Sequence, residues 1–465
     1  MRKKIETAGM SRRSFLRWSA LVGSSAAASK GLAAGFRRRD PRHVFAEAAQ
    51  SDAAERMIRT GCPSHNCGGR CLLKVFVRDG RIVRIETDDR PGDTLADPQL
   101  RACLRGRAYR KRQYHPDRLM HPLKRTGKRG EGQFERITWD EALDRIASEF
   151  ARIKSAYGNE AFYVPYGTGS YNQINGRQTA QRLMNLYGGS LGFYNSYSWA
   201  AISAATPTVY GTSVTGNQRQ DWLNAKYILM WSWNPAEMRD GTNSEYFVRK
   251  AREKGARVVC IDPRMTLSAV ALAGTDAAMM SAMAHVMVTE NLFDAEFVRT
   301  HCVGFDGTQM PAGAEGAESY KDYLLGTRDG VAKTPAWAEP ICGVPRETIA
   351  RIAREYATAK PGVLYQGYGM QRRAYGEQAV RAGCVLAAIT GNVGVPGGWA
   401  SGIALQAPDG GPFWLVFPVG DNPVEATIPS FLWTEAVLRG KEMGPADGVR
   451  GASKLATDIK CIWAV

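Results

Sequence analysis

Two periodicities divide the chain. Lys74-Val75-Phe76-Val77-Arg78 and Arg81-Ile82-Val83-Arg84-Ile85 alternate apolar and polar positions on either side of Asp79-Gly80, which predicts a β-hairpin with a two-residue turn. From Phe134 onward the pattern changes to strands alternating with helices. Thr138-Trp139-Asp140-Glu141 has the form of a capping box, and Leu143, Ile146, Phe150 and Ile153 continue an apolar helical face behind it. A strand over 161–164 runs into Tyr166-Gly167-Thr168-Gly169-Ser170, a glycine turn at a carboxyl end, which is where open α/β sheets bind ligands. A strand over 226–231, a turn at Asn234-Pro235, a helix over 244–253 and a strand over 257–261 read as one βαβ crossover, so part of the sheet is parallel. An amphipathic helix is expected over 277–288. A helix over 347–358, a strand over 363–366 and a helix over 379–389 follow. The fold class is α/β: a small β-rich unit followed by parallel-sheet α/β domains.

Cys62, Cys67 and Cys71 stand five and then four positions apart, and Cys103 follows in Arg101-Ala102-Cys103-Leu104-Arg105-Gly106. Three thiolates on one loop and a remote fourth can enclose a metal centre, and four thiolates suit zinc or an iron–sulfur cluster. Zinc sites usually pair two short cysteine hooks, whereas three clustered cysteines plus one remote one fit the cluster better. Arg105 and Arg107 face either solvent or an anionic cofactor. The net charge of +16 first suggests nucleic acid, but residues 1–43 hold eleven Lys or Arg against two acidic residues, a local +9. The rest is only modestly basic, and no nucleic-acid-binding motif accompanies it. No run of eighteen uncharged apolar residues predicts a spanning helix. Ser11-Arg12-Arg13-Ser14-Phe15-Leu16-Arg17, followed by a weakly apolar run, resembles the twin-arginine export motif, with Ala46-Glu47-Ala48 as a cleavage site. Export to the periplasm of a folded, cluster-loaded protein is the expectation. Asp262, at the end of the second strand of the crossover, is where nucleotide folds often engage ribose, yet Gly-x-Gly-x-x-Gly is absent, which argues against an ordinary dinucleotide-dependent dehydrogenase.

Three long strings carry a resemblance: Arg-Ala-Cys-Leu-Arg-Gly-Arg at 101–107, Arg-Gly-Glu-Gly-Gln-Phe-Glu-Arg-Ile-Thr-Trp at 129–139 and Ile-Thr-Gly-Asn-Val-Gly-Val at 389–395. With the cysteines and the leader, they make the chain resemble catalytic subunits of the dimethyl sulfoxide reductase family of molybdenum enzymes. The resemblance implies that Cys62, Cys67, Cys71 and Cys103 hold a 4Fe-4S cluster and that Arg105 links cluster and pterin. It also implies a molybdenum bis(molybdopterin guanine dinucleotide) cofactor. Its contacts would be Tyr171, Asn172 and Gln173, Glu237 and Met238, Ile261 and Asp262, Gly274, Thr275 and Asp276, and Tyr368, Gly369 and Arg372. The protein ligand to molybdenum would be Ser198 in Tyr197-Ser198-Trp199, with Ser196 as the competing candidate and a helix cap as the plain structural role of Ser198.

The same resemblance implies oxygen-atom transfer from S-oxides or N-oxides such as dimethyl sulfoxide in anaerobic respiration. Electrons would come from a ferredoxin-like iron–sulfur subunit fed by a membrane anchor subunit. The expected segments are a leader at 1–48, a cluster domain at 56–120, a first part of an α/β domain at 130–197, a pterin-nucleotide domain at 198–330 and the second part of the first α/β domain at 331–465. The resemblance also implies a further C-terminal domain, spanning both pterins, that this chain does not contain. Only nine residues separate Arg264 from Gly274, where the family has a longer, strand-bearing segment. Two other classes fit the residues: a non-catalytic iron–sulfur or pterin-binding subunit, in need of its missing half, and a zinc-stapled structural protein.

Overall fold

The computed structural model of the chain describes residues 54–63, 71–167, 176–213, 215–237, 239, 241–262, 270–271, 275–402 and 417–465. The leader at 1–48 and the site residues Cys67, Tyr171, Asn172, Gln173, Met238 and Gly274 lie outside them.

The β-rich unit is a three-stranded antiparallel sheet of β1 (Arg56–Gly61), β2 (Leu72–Arg78) and β3 (Arg81–Thr87), in that spatial order. The predicted hairpin is β2–β3, and Asp79 (φ 49) and Gly80 (φ 73) both adopt the left-handed conformation that a type I′ turn demands. The alternation does not reveal β1, because all six of its residues are exposed. It is an edge strand held by its ladder to β2, from Arg56 opposite Val77 to Gly61 opposite Leu72. That ladder continues one step further, where the Cys62 N–H donates to the Cys71 carbonyl at 2.8 Å. The cysteine loop is thus closed at its base by a hairpin.

Thr138 caps α1 (Trp139–Tyr157), its hydroxyl accepting the Glu141 N–H at 3.1 Å, which is half of the predicted capping box. β4 (Phe162–Tyr163), β5 (Gly192–Tyr194) and α2 (Ala200–Tyr210) follow. The crossover comes next as β6 (Tyr227–Trp231), α3 (Ser244–Glu253) and β7 (Arg257–Asp262), with Tyr227 opposite Arg257 in parallel register. The short segment after Asp262 still contributes a two-residue strand, β8 (Val270–Ala271), parallel to β7. Then come α4 (Asp276–Thr289), α5 (Arg346–Thr358), β9 (Gly362–Gln366) and α6 (Gly376–Ile389).

These strands form one parallel sheet in the order β8-β7-β6-β9. Every residue of β6 and β9 is buried, as expected of parallel strands covered on both faces. Met279, Met283, Ile349, Tyr356 and Leu386 pack on one side, and Trp222, Trp233, Phe247 and Trp399 on the other. The helix expected to be amphipathic is not: nine of the fourteen residues of α4 are buried. It lies inside the helical layer rather than on its surface, and small and methionine side chains let neighbours close round it. The edge strand β9 lies beyond residue 330, so the sheet that begins in the segment 198–330 is completed from the next one.

The last residues return to the beginning of the α/β part. β10 (Thr427–Pro429) pairs in parallel with β5, and β11 (Cys461–Ile462) with β4. Phe150, Phe162 and Trp463 meet edge-to-face there, with centroids 5.1 and 6.0 Å from Phe150. Among the described residues, no helix is long and apolar enough to cross a membrane.

Candidate cluster and pterin site

The hairpin of β1 and β2 presents Cys62 and Cys71 at its end, and a second connection brings Cys103 beside them. Asp88 organises that connection. Its carboxylate, buried at 2% exposure, accepts from the backbone N–H groups of Arg90 at 3.0 Å and Leu100 at 2.7 Å and from Arg90 Nε at 2.8 Å. Burial alone would raise the pKa of Asp88, but the Arg90 pair and the two backbone donors hold it below the usual aspartate value. Thr87 then accepts from the Ala102 N–H at 2.7 Å, and Cys103 begins the single helical turn Leu104–Arg107. Gly106 is required by space: a Cβ there would lie 3.0 Å from Cys62 Sγ.

Cys62, Cys71 and Cys103 share a cavity of about 390 Å³ with Arg101, Arg105 and Arg107 and with residues 239–249 of the following part of the chain. Among the described residues, no three metal-ligating side chains converge as closely as the ligands of one ion. The cysteines ring a cavity instead. Two other cysteines serve the core: burial pushes the thiols of Cys260 and Cys384 up to about 12, so both stay neutral and apolar.

Arg105 leaves this cavity and donates to the Glu237 carbonyl at 3.3 Å. Two residues that the sequence assigns to the cluster link and to the cofactor contacts are thereby joined. At the carboxyl ends of the parallel strands the backbone is tightly interlocked. Ser232, at φ 50, donates its N–H to Ile261, Gly367 donates to Trp231, and a Cβ on Gly367 would lie 2.1 Å from the Ser232 carbonyl oxygen. Gly369 has only 3.2 Å to Ser232 Cβ for a side chain of its own. These approaches bring Ile261, Asp262, Tyr368 and Gly369 to the carboxyl rim of the sheet.

Ser198 comes to that rim on the connection between β5 and α2. Gln371 donates to its carbonyl at 2.5 Å and Arg372 at 3.0 Å, while its hydroxyl lies 3.3 Å from the Tyr166 hydroxyl. Ser196 behaves differently. It is buried, and its hydroxyl accepts the N–H groups of Ser198 at 3.3 Å and Trp199 at 3.2 Å. Neither serine caps α2, whose N-cap position is Trp199; Ser196 fixes the connection just before the helix, while the Ser198 hydroxyl lies beside Tyr166. Tyr166 opens the glycine turn that the sequence marks as a ligand position, whereas Gln371 carries no signal of its own; the tertiary contact joins both to Ser198.

Thr275 and Asp276 are turned into the fold. Thr275 donates to the Ile341 carbonyl at 2.9 Å, and the buried Asp276 accepts from Trp231 Nε1 at 2.7 Å, with Arg373 at 3.6 Å. Asp276 ties the start of α4 to the end of β6, and Thr275 ties it to the helix Pro335–Cys342.

Residues 118–445 match the family model described as molybdopterin oxidoreductase, and residues 55–115 match the molybdopterin oxidoreductase Fe4S4 domain. The chain belongs to the molybdopterin oxidoreductase family. It is 43% identical to dimethyl sulfoxide reductase DmsA of Escherichia coli (strain K12) over 98% of this chain and 58% of that protein. Identity to DmsA of Haemophilus influenzae is 42%, over 91% of this chain and 55% of that protein. The chain thus spans little more than half the length of these curated relatives. Among solved structures, acetylene hydratase from Pelobacter acetylenicus matches with a TM-score of 0.53 and 26% identity, over 73% of this chain and 44% of that one.

The Fe4S4 domain match spans Cys62, Cys71 and Cys103, the three cysteines that line this cavity. The donor chemistry fits such a group, since three thiols and a set of guanidinium groups surround one space. On the pterin side, Gly367 and Gly369 let the segment after β9 pack directly against Ser232 at the carboxyl ends of the strands, the end of an open α/β sheet at which ligands bind.

Proposed function

We propose that this chain forms the cluster- and pterin-binding part of a molybdenum reductase that removes oxygen from S-oxides or N-oxides. The observation that carries the reading is Ser198, whose backbone is clamped by Gln371 and Arg372 and whose hydroxyl lies 3.3 Å from the Tyr166 hydroxyl. When bound, a molybdenum bis(molybdopterin guanine dinucleotide) supplies a two-electron centre for oxygen-atom transfer, and a 4Fe-4S cluster held by Cys62, Cys67, Cys71 and Cys103 supplies electrons one at a time.

The chain's own residues do the rest. Ser198 offers an oxygen ligand in a fixed position, because two donors pin its peptide group. Tyr166 orients the hydroxyl. Arg105 bridges the cluster cavity and the Glu237 turn, and Tyr368 and Arg372 stand beside the serine, the guanidinium 5.3 Å from the Tyr368 ring centre. The substrate class follows from the activities named for the relatives, dimethyl sulfoxide and trimethylamine N-oxide reduction. A ferredoxin-like iron–sulfur subunit and a membrane anchor subunit complete the electron path, and the Ser11–Arg17 leader motif sends the folded protein through the twin-arginine route to the periplasmic side.

Anaerobic purification followed by metal analysis and a dye-linked assay with dimethyl sulfoxide and trimethylamine N-oxide tests this. About four iron and about one molybdenum per chain, with reductase activity abolished in Ser198→Ala and iron retained, is the expected result. Iron without molybdenum would instead support a non-catalytic cluster-bearing subunit, and zinc in place of iron a structural one.

A further inference from the structure

We propose that the ion pair Arg239–Glu245 sets the reduction potential of the cluster, through charges contributed by the pterin-binding part of the chain. The inference rests on the reading of the cysteine cavity as the cluster site. Five arginines line that cavity, Arg101, Arg105 and Arg107 from the cysteine unit and Arg239 and Arg249 from beyond it, against one carboxylate, Glu245. Three of these guanidinium groups are ion-paired, Arg101 with Asp93, Arg239 with Glu245 and Arg249 with Glu253, and part of the wall's charge comes from beyond the cysteine unit.

The docking contacts hold these charges in place. Glu245, in the first turn of α3, is ion-paired with Arg239. Arg249, one turn further along, lies 5.8 Å from the ring centre of Tyr246, on which Arg101 of the cysteine unit also stacks at 4.4 Å. Asn243 donates to the Gln99 carbonyl at 2.9 Å, and the Thr242 hydroxyl sits 3.5 Å from Cys71 Sγ. A cysteine sulfur is therefore touched by a residue of the other part.

When the cluster takes up one electron, its charge becomes one unit more negative and no bond is made or broken. A fixed positive charge nearby stabilises the reduced state more than the oxidised one, so removing it lowers the potential; removing a fixed negative charge raises it. Arg239 and Glu245 are 28% and 45% exposed as side chains, so solvent and salt screen part of the effect. A change of a few-fold up to about tenfold in the reduction equilibrium is expected, the upper end being about 59 mV for one electron.

The test is a redox titration of the full chain with dithionite, monitored by electron paramagnetic resonance, on Arg239→Gln, Glu245→Gln and the double variant. The expected result is a lower midpoint for the first, a higher one for the second and a return toward the unmodified value in the double variant. If the pair served only to hold the two parts together, breaking it from either side would move the midpoint in the same direction or not at all, and either outcome overturns the inference. Iron content is measured on every sample. Should Arg239→Gln lose iron, Arg107→Gln on the opposite wall replaces it, with the same downward shift required. A chain without iron would overturn the cluster reading of the cavity itself, whereas iron with charge-insensitive midpoints would overturn this inference alone.

Discussion

The cysteine unit and the parallel sheet behind it solve the same problem, holding a ligand at strand ends, with very different amounts of core. β6 and β9 are buried along their whole length and covered by two apolar layers, and each fully buried side chain there contributes about 1.5–3 kcal/mol. Among the described residues, the cysteine unit has only Cys62, Cys71, Leu73 and Ala102 as a buried apolar cluster. Around it run ion pairs such as Lys74 with Asp89 at 2.6 Å and Arg78 with Glu55 at 2.7 Å, which add little when partly exposed. Two of its few core residues are themselves cysteines of the metal motif. The lesson is that the parallel sheet can stand on packing, while the cysteine unit depends on what its cysteines hold.

That contrast can be broken at three places. Stripping iron with a chelator under reducing conditions, or making Cys71→Ser, should give the largest effect: amide exchange in β1–β3 should quicken by about ten-thousandfold, the equivalent of about 5.5 kcal/mol, while β6 and β9 keep their protection. Equal loosening of both regions would mean that the sheet leans on the cysteine unit. Leu229→Ala, at a fully buried position of β6, should cost about 2–5 kcal/mol in denaturant melts of the α/β part, with iron content unchanged. Loss of iron in that variant would show the two cores to be one.

The smallest effect is expected at Asp88, where Asp88→Asn should cost about 1–3 kcal/mol because one buried acceptor is exchanged for a group that also donates. The carboxylate has a depressed folded pKa. Its stabilisation is therefore complete above the unfolded value, near 4, and disappears as pH falls through the folded value. Thermal melts followed by cluster absorbance should show a loss below about pH 4 that the Asn variant lacks. A variant with the same acid profile would remove Asp88 from the account.

Much of this was legible in the order of residues. The hairpin round Asp79-Gly80, the crossover of β6, α3 and β7, and the helix ending at Ile389 follow from local periodicity and turn chemistry, because each satisfies its backbone within a short span. The cysteine spacing pointed to a metal centre because ligands on one loop are a local pattern too. Where side-chain pattern was uninformative, the reading failed for identifiable reasons. β1 is exposed on both faces, so no alternation marks it. α4 read as amphipathic although it is surrounded by protein, since hydrophobic spacing does not say how many neighbours a helix will have.

What the sequence by itself determined is the set of local elements and the chemistry of the cysteine motif. The tertiary structure decided which residues meet: that β9 completes a sheet begun before residue 330, that β10 and β11 return to β5 and β4, and that Arg105 reaches Glu237 across 132 positions. It also set two serines two residues apart in different surroundings, because only packing shows that the Ser196 hydroxyl accepts backbone N–H groups while that of Ser198 lies beside the Tyr166 hydroxyl. The physical reason is one of range: hydrogen bonds within a few residues are encoded by neighbours in sequence, whereas burial and charge at a site are sums over segments that only folding brings together.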